Sequence, residues 1–323
     1  MSDMKYTYAV ARIRSMEASL FSRDTIEQLM SCQTKQQCLQ FLSEKGWGSA
    51  DTTMDAEAIL VYEKEKTWEL VRSLVDDMSV FDVLSYSDLF HNLKAAIKKL
   101  AGDVSHDDIF IANTALGGEE ILEILSHKEF ERLPINMQEP ASKALEVLLH
   151  TGDGQLCDII IDQATLKAIA EAGKASNEEI VRQYAETTVA MANIKIAVRS
   201  SQTAKAIKFM MQSMSPCDTL DVEELAQAAL KGMEAIRVYL EGTIYAEGAQ
   251  MLSESSSAFE CWCDNQIIRN IQPQINNPFS VGPLMAYLLA RENEIKTVRI
   301  ILSGKFNGLS EESIRERVRD MYV

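Results

Sequence analysis

The sequence predicts an all-helical protein made of three similar units of about a hundred residues. One six-residue pattern occurs three times, as Asn92-Leu93-Lys94-Ala95-Ala96-Ile97, Asn193-Ile194-Lys195-Ile196-Ala197-Val198 and Glu294-Ile295-Lys296-Thr297-Val298-Arg299. Its lysines, Lys94, Lys195 and Lys296, stand 101 residues apart, so the period fits the 323-residue chain about three times. Self-similarity at a fixed period marks one architectural unit used repeatedly. Breakers are scarce, with 14 Gly and 6 Pro, which suits long helices better than a turn-rich β fold. A hydrophobic share of 46% supplies cores for all three. The period divides the chain into 1–116, 117–216 and 217–323.

Each element has a local reason. Tyr6, Ala9, Val10, Ile13 and Met16 share one helical face. Thr34 and Gln37 form a capping box, and Gly46 stops the helix they begin. From Ser49 to Ala101 there is neither Gly nor Pro. That is too long for one globular helix, so a break is expected near Asp77 to Ser79, with Ser79 and Asp82 capping the helix that carries the first motif. Gly117-Gly118 marks a turn. Pro134, Pro140 and the turn Thr151-Gly152-Asp153-Gly154 divide the second unit.

Ser176 with Glu179 is a further capping box, and Lys174 to Ser215 holds no breaker. The spacing predicts a helix of roughly 30 residues, about 45 Å long, over the second motif. Leu156 to Ile161 is read as helix, with a buried strand as the alternative. Asp221 and Glu224 open the third unit. Pro283 fits the first turn of the third motif helix and Gly304 its end. Ser310 caps a short last helix with acids first and arginines after, the order the helix dipole favours.

In each motif the apolar residues form a core stripe: Leu93, Ala96, Ile97 and Leu100; Ile194, Ala197 and Val198; Ile295, Val298 and Leu302. Each lysine borders its stripe, its stem on apolar surface and its ammonium able to reach water or a carboxylate. A packing joint is the expected role; a ligand held by three lysines on an axis is the alternative. Upstream, Asp162 precedes Lys195 by 33 residues and Asp264 precedes Lys296 by 32.

No catalytic, cofactor or metal site is expected. The phosphate-loop and dinucleotide glycine patterns are absent. His91, His106, His127 and His150 lack metal-ligand spacing, and Cys261-x-Cys263 is too close for a zinc knuckle. Asp76-Asp77 with Asp82 resembles the aspartate clusters of helical prenyl-transfer enzymes, but no second cluster accompanies it; solvated turn acids are expected. The net charge of −16 disfavours nucleic acid and suits solubility or a basic partner. The acidity lies early, because Arg291 to Arg319 carries seven basic and five acidic residues. Six scattered cysteines and a start without an apolar leader suggest a reducing, cytoplasmic setting. No run reaches the roughly 18 apolar residues that a bilayer needs.

The block Gly282-Pro283-Leu284-Met285-Ala286-Tyr287-Leu288-Leu289-Ala290-Arg291-Glu292-Asn293-Glu294-Ile295-Lys296 continues through Val298-Arg299-Ile300-Ile301-Leu302 to Gly304-Lys305-Phe306-Asn307-Gly308-Leu309. With Ala11-Arg12-Ile13-Arg14, His91-Asn92-Leu93-Lys94 and Asn193-Ile194-Lys195, it resembles the C-type central-stalk component of the V-type and A-type rotary ATPases, the relative of the eukaryotic vacuolar d component. The resemblance implies three helical domains around a pseudo-threefold axis, shaped as a funnel. It implies a component without catalysis, peripheral at the cytoplasmic membrane face. Its partners would be the D and F proteins of the central shaft and the membrane rotor (proteolipid) ring, which moves protons or sodium. A generic helical-repeat adaptor is the alternative; its repeats would be shorter than about 50 residues, half this period.

Overall fold

The computed structural model describes residues 6–49, 51, 55–102 and 109–323, and among these it holds sixteen α-helices and no strand. In chain order they are α1 Thr7–Glu17, α2 Arg23–Ser31, α3 Lys35–Glu44, α4 Ala56–Leu74, α5 Asp82–Leu100, α6 Gly118–His127, α7 Ile135–Thr151 and α8 Gly154–Ala175. The rest are α9 Glu179–Gln202, α10 Ile207–Ser213, α11 Val222–Lys231, α12 Met233–Glu241, α13 Ala246–Glu254, α14 Ser256–Ile271, α15 Gly282–Phe306 and α16 Glu311–Arg315. His106 and the first five residues lie outside the described residues.

The chain forms two compact units, residues 79–249 and residues 1–78 with 250–323. In the unit 79–249, α5 is the post on which α6, α7 and α8 pack. Its stripe Phe90, Leu93, Ala96 and Ile97 closes against Ile121, Ile124, Met137, Ala141 and Ile161. Next along the chain, α9 packs on α8 and receives α11 and α12. Helices α8 and α9 approach closely at Gly173, where an added Cβ would lie 2.4 Å from the Cβ of Ala185.

In the other unit α15 is the post. Helices α2, α3 and α4 from the chain start pack on it, beside α1, α14 and α16. Ile295, Val298, Ile301 and Leu302 share a core with Ile26, Leu29, Leu42 and Ile59. Each motif helix is thus a post on which several other helices pack. The cover of α5 follows it in sequence, that of α9 comes from α8 before it and from α11 and α12 after it, and much of that of α15 comes from the opposite end of the chain.

Several local expectations are met. Thr34 and Gln37 make both halves of their box, Asp221 caps α11 through Glu223 N–H and Glu224 N–H, and Ser310 caps α16. Leu156 to Ile161 is helical. The break after α4 falls at 75–78, followed by a 3₁₀ turn, Ser79–Phe81.

Others need correction. Phe81, not Ser79, directly precedes α5, because the 3₁₀ turn Ser79–Phe81 comes between α4 and that helix. The Ser176–Glu179 box does not form: Ser176 Oγ accepts instead from Glu178 N–H at 3.1 Å, and Glu178 precedes α9. The long helix there ends at Gln202, and Ala204 takes φ +50 before α10. A left-handed residue breaks a helix even where neither Gly nor Pro is present. Pro140 sits inside α7 instead of dividing it. Gly304 does not end α15; it leaves room for Ile314 of α16, whose Cγ1 would lie 2.6 Å from an added Cβ, and the reversal falls at Gly308 with φ +69. Leu100 closes no core, being 37% exposed.

Candidate functional site

The repeated asparagines are peptide clamps. Asn92 is fully buried on α5; its Nδ2 donates to Ile111 O at 2.9 Å and its Oδ1 accepts from Ile111 N–H at 2.7 Å. Asn193 is equally buried on α9; its Nδ2 donates to Ser215 O at 2.7 Å and its Oδ1 accepts from Ser215 N–H at 3.0 Å. One side-chain amide therefore takes both polar groups of a single residue, as a neighbouring strand would. A carboxamide carries the donor and the acceptor this needs. The pinned segments lead into α6 and α11. Where such peptides are buried, they must find partners inside the protein.

The third copy does the same work with different parts. Glu294, 1% exposed at the aligned position, accepts Phe21 N–H at 2.7 Å through Oε2. Phe21 precedes α2, so this clamp seats the chain start on α15. The adjacent Asn293 donates to Asp320 O at 2.9 Å, and Asp320 N–H goes to Asn265 Oδ1 at 2.9 Å. Again one residue has both its peptide groups held, here by two asparagines.

A carboxylate in place of an amide must be neutralised when buried. Arg291, one turn earlier on α15, bonds Glu294 and reaches Glu63 of α4 at 2.5 Å. Glu63 is 1% exposed and also accepts Gly48 N–H at 2.9 Å and the Lys66 ammonium at 3.1 Å. The guanidinium lies 4.8 Å from the ring centre of Trp47, which stacks on Phe21 at 5.0 Å. Burial dominates the proton affinity: it pushes the Glu294 carboxyl up to about 7, against the opposing pull of Arg291 and Phe21 N–H.

Lys94 and Lys296 are tie points. Lys94 pairs with Asp162 on α8 and Lys296 with Asp264 on α14, both at 2.5 Å. Asp264 also takes Arg319 at 2.7 Å. Spacing along the chain matches Asp162 to Lys195, but the packing of α5 on α8 gives it to Lys94. Lys195 is partly buried on α9.

Within residues 79–249, Asn92 and Asn193 serve two joints, one holding Ile111 and the other Ser215. Glu294 and Lys296 serve a third. The sequence pattern exposes Asn92, Asn193 and Glu294 but not what they hold, and it misses Asn293, Asn265 and the Arg291–Glu63 pair altogether. The six cysteines are free thiols, and burial pushes Cys38 and Cys157 up to about 11. Asp76 and Asp77 are exposed in the connection after α4, and Asp82 is exposed in the first turn of α5. Among the described residues no group of three His, Cys, Asp or Glu could hold a metal, and no helix is long and apolar enough to cross a membrane.

A helical scaffold of repeated joints is the class these features define, and comparison with known proteins gives the family. Residues 9–317 match the model of the ATP synthase (C/AC39) subunit. The chain is 25% identical to the C component of the A-type ATP synthase of Methanocaldococcus jannaschii, over 96% of this chain and 85% of that one. It is 22% identical to the C component of the V-type sodium ATPase of Enterococcus hirae, over 99% of both. The corresponding A-type ATP synthase protein of Thermococcus kodakarensis is also 22% identical, over 98% and 91%. The chain belongs to the C/AC39 family of V-type and A-type rotary ATPase components.

Proposed function

We propose that this chain is a non-catalytic rotor element that joins the D–F shaft to the membrane rotor ring, so that ATP hydrolysis or synthesis is coupled to transport of protons or sodium. The observation that carries the reading is the family match over residues 9–317, on a body whose repeated residues serve as joints. A torque-bearing part must resist bending. Buried bidentate clamps and helices packed on central posts supply stiffness of that kind. The proposal includes three similar helical units about a pseudo-threefold axis, following the 101-residue period, with the third motif helix covered by the first helices of the chain.

In this reading the chain sits at the cytoplasmic membrane face without crossing it, and neither cofactor nor metal takes part. The test is a pull-down with purified D–F complex, repeated with the solubilised ring. Binding of both at low salt is expected; retention of neither would overturn the proposal.

A further inference from the structure

We propose that the groove between α11 and α12 is a docking seat for a basic amphipathic helix of about ten residues carried by another protein of the rotary complex. The inference rests on the rotor reading above and adds a place and a chemistry to it.

The groove has a volume of about 790 Å³. It is lined by Ala228, Ala235 and Val238 together with three carboxylates, Glu223, Glu224 and Glu234, and one cation, Lys231. Val238 is 60% exposed, and Leu230 on α11 is 48% exposed. The two alanines let a third helix approach closely, and an apolar side chain on that helix would cover Val238. Helix α11 has 10 residues, about 15 Å, which sets the length of helix the seat can hold.

Charge decides what occupies it. From Asp218 to Glu254 the chain carries eight carboxylates against two cations, Lys231 and Arg237, and all eight carboxylates are exposed. The stretch thus holds a net charge of −6, over a third of the chain's −16, in 37 of 323 residues. An anionic lipid surface or a nucleic acid would be repelled. A helix with lysines or arginines flanking an apolar stripe would find both carboxylates and Val238 in this groove.

The seat is also fixed in advance. Tyr239 Oη accepts Asp221 N–H at 2.8 Å and donates to Asp221 O at 3.0 Å, tying α12 to the start of α11. A preformed groove loses less entropy when it is filled.

The test is site-specific photocross-linking in the assembled complex, with benzoylphenylalanine at exposed Gln227 and the product identified by mass spectrometry. The expected product is a peptide of another protein of the complex, with Lys or Arg flanking a helical apolar stripe. Its yield should fall at least tenfold in Val238→Glu and in the combined Glu223→Gln, Glu224→Gln, Glu234→Gln variant, and it should fall with added salt. All four positions are exposed, so both variants should fold, as a thermal melt would verify. A cross-link to an acidic or neutral peptide or to lipid, a yield indifferent to both variants, or no cross-link in an intact complex would overturn the seat alone. Absence of the chain from the purified complex would overturn the rotor reading and the seat with it.

Discussion

The clamp asparagines are buried positions in the unit 79–249 whose truncation strands backbone groups. Asn193→Ala removes the partners of Ser215 N–H and Ser215 O together, in a site water does not reach. Each buried polar group left unpaired costs about 1–3 kcal/mol, so a loss of about 4 kcal/mol is expected. Asn193→Asp should do no better, because it keeps the acceptor, loses the donor and buries a charge. Chemical denaturation of the three proteins measures this; a loss below about 1 kcal/mol for Asn193→Ala would refute the clamp's importance. Glu294 adds a pH dependence. Its carboxyl rises from 4.5 to about 7 in the folded protein, so the fold binds that proton more tightly than the unfolded chain does. The contribution therefore favours folding below about pH 4.5 and is lost as pH rises through 7, on the order of 3 kcal/mol in all. Arg291 faces the Glu294 carboxyl directly, and Glu63 and Lys66 of α4 complete the charged cluster around it. Glu294→Gln keeps an acceptor for Phe21 N–H, so its stability should vary less between about pH 5 and 8 than that of the wild type. Parallel slopes in thermal melts across that range would contradict the assignment.

At the scale of elements, closeness of approach matters more than helix propensity. Gly173 lets α8 meet α9, and Gly173→Ala would place two Cβ atoms 2.4 Å apart. Ala improves intrinsic helicity by about 1 kcal/mol over Gly, while overpacking costs about 1–3 kcal/mol. A net destabilisation of about 1 kcal/mol is expected, where propensity alone forecasts a gain; a higher melting temperature would refute the contact. The same contrast explains what the sequence reveals. Stripes such as Leu93, Ala96 and Ile97 are legible because helical periodicity writes burial directly into the order of residues. Caps at Thr34, Asp221 and Ser310 are legible because they act within three residues. Gly173 and Gly304 are not, since the atoms that need their space, on Ala185 and Ile314, are set by packing. Ala204 is illegible for another reason: its left-handed turn follows from what the chain must do after α9, not from its own preference. The clamps fall between these cases, with the residue that holds written in the repeat and the residue held written nowhere.

For the whole molecule, the chain start and chain end share one core. Phe21 N–H on Glu294, Glu63 on Arg291, and α2, α3 and α4 on α15 all join residues more than 200 positions apart. The long helix α15 buries its surface nearly all round, 18 of its 25 residues being buried, so it cannot stand without the N-terminal helices. The clamps of Asn92 and Asn193 and the core around α5 are built from residues within 79–249. Expressed alone, 79–249 should therefore be helical and melt cooperatively, whereas 250–323 alone should not. Adding residues 1–78 as a separate chain should restore a cooperative transition to 250–323, because the joint is made of side chains and peptides, not of the covalent connection. Circular dichroism melts of the three samples test this. A cooperative transition for 250–323 by itself would mean that α15 finds its core without the chain start, and that the Phe21–Glu294 clamp is an attachment to a finished unit instead of the step that completes it.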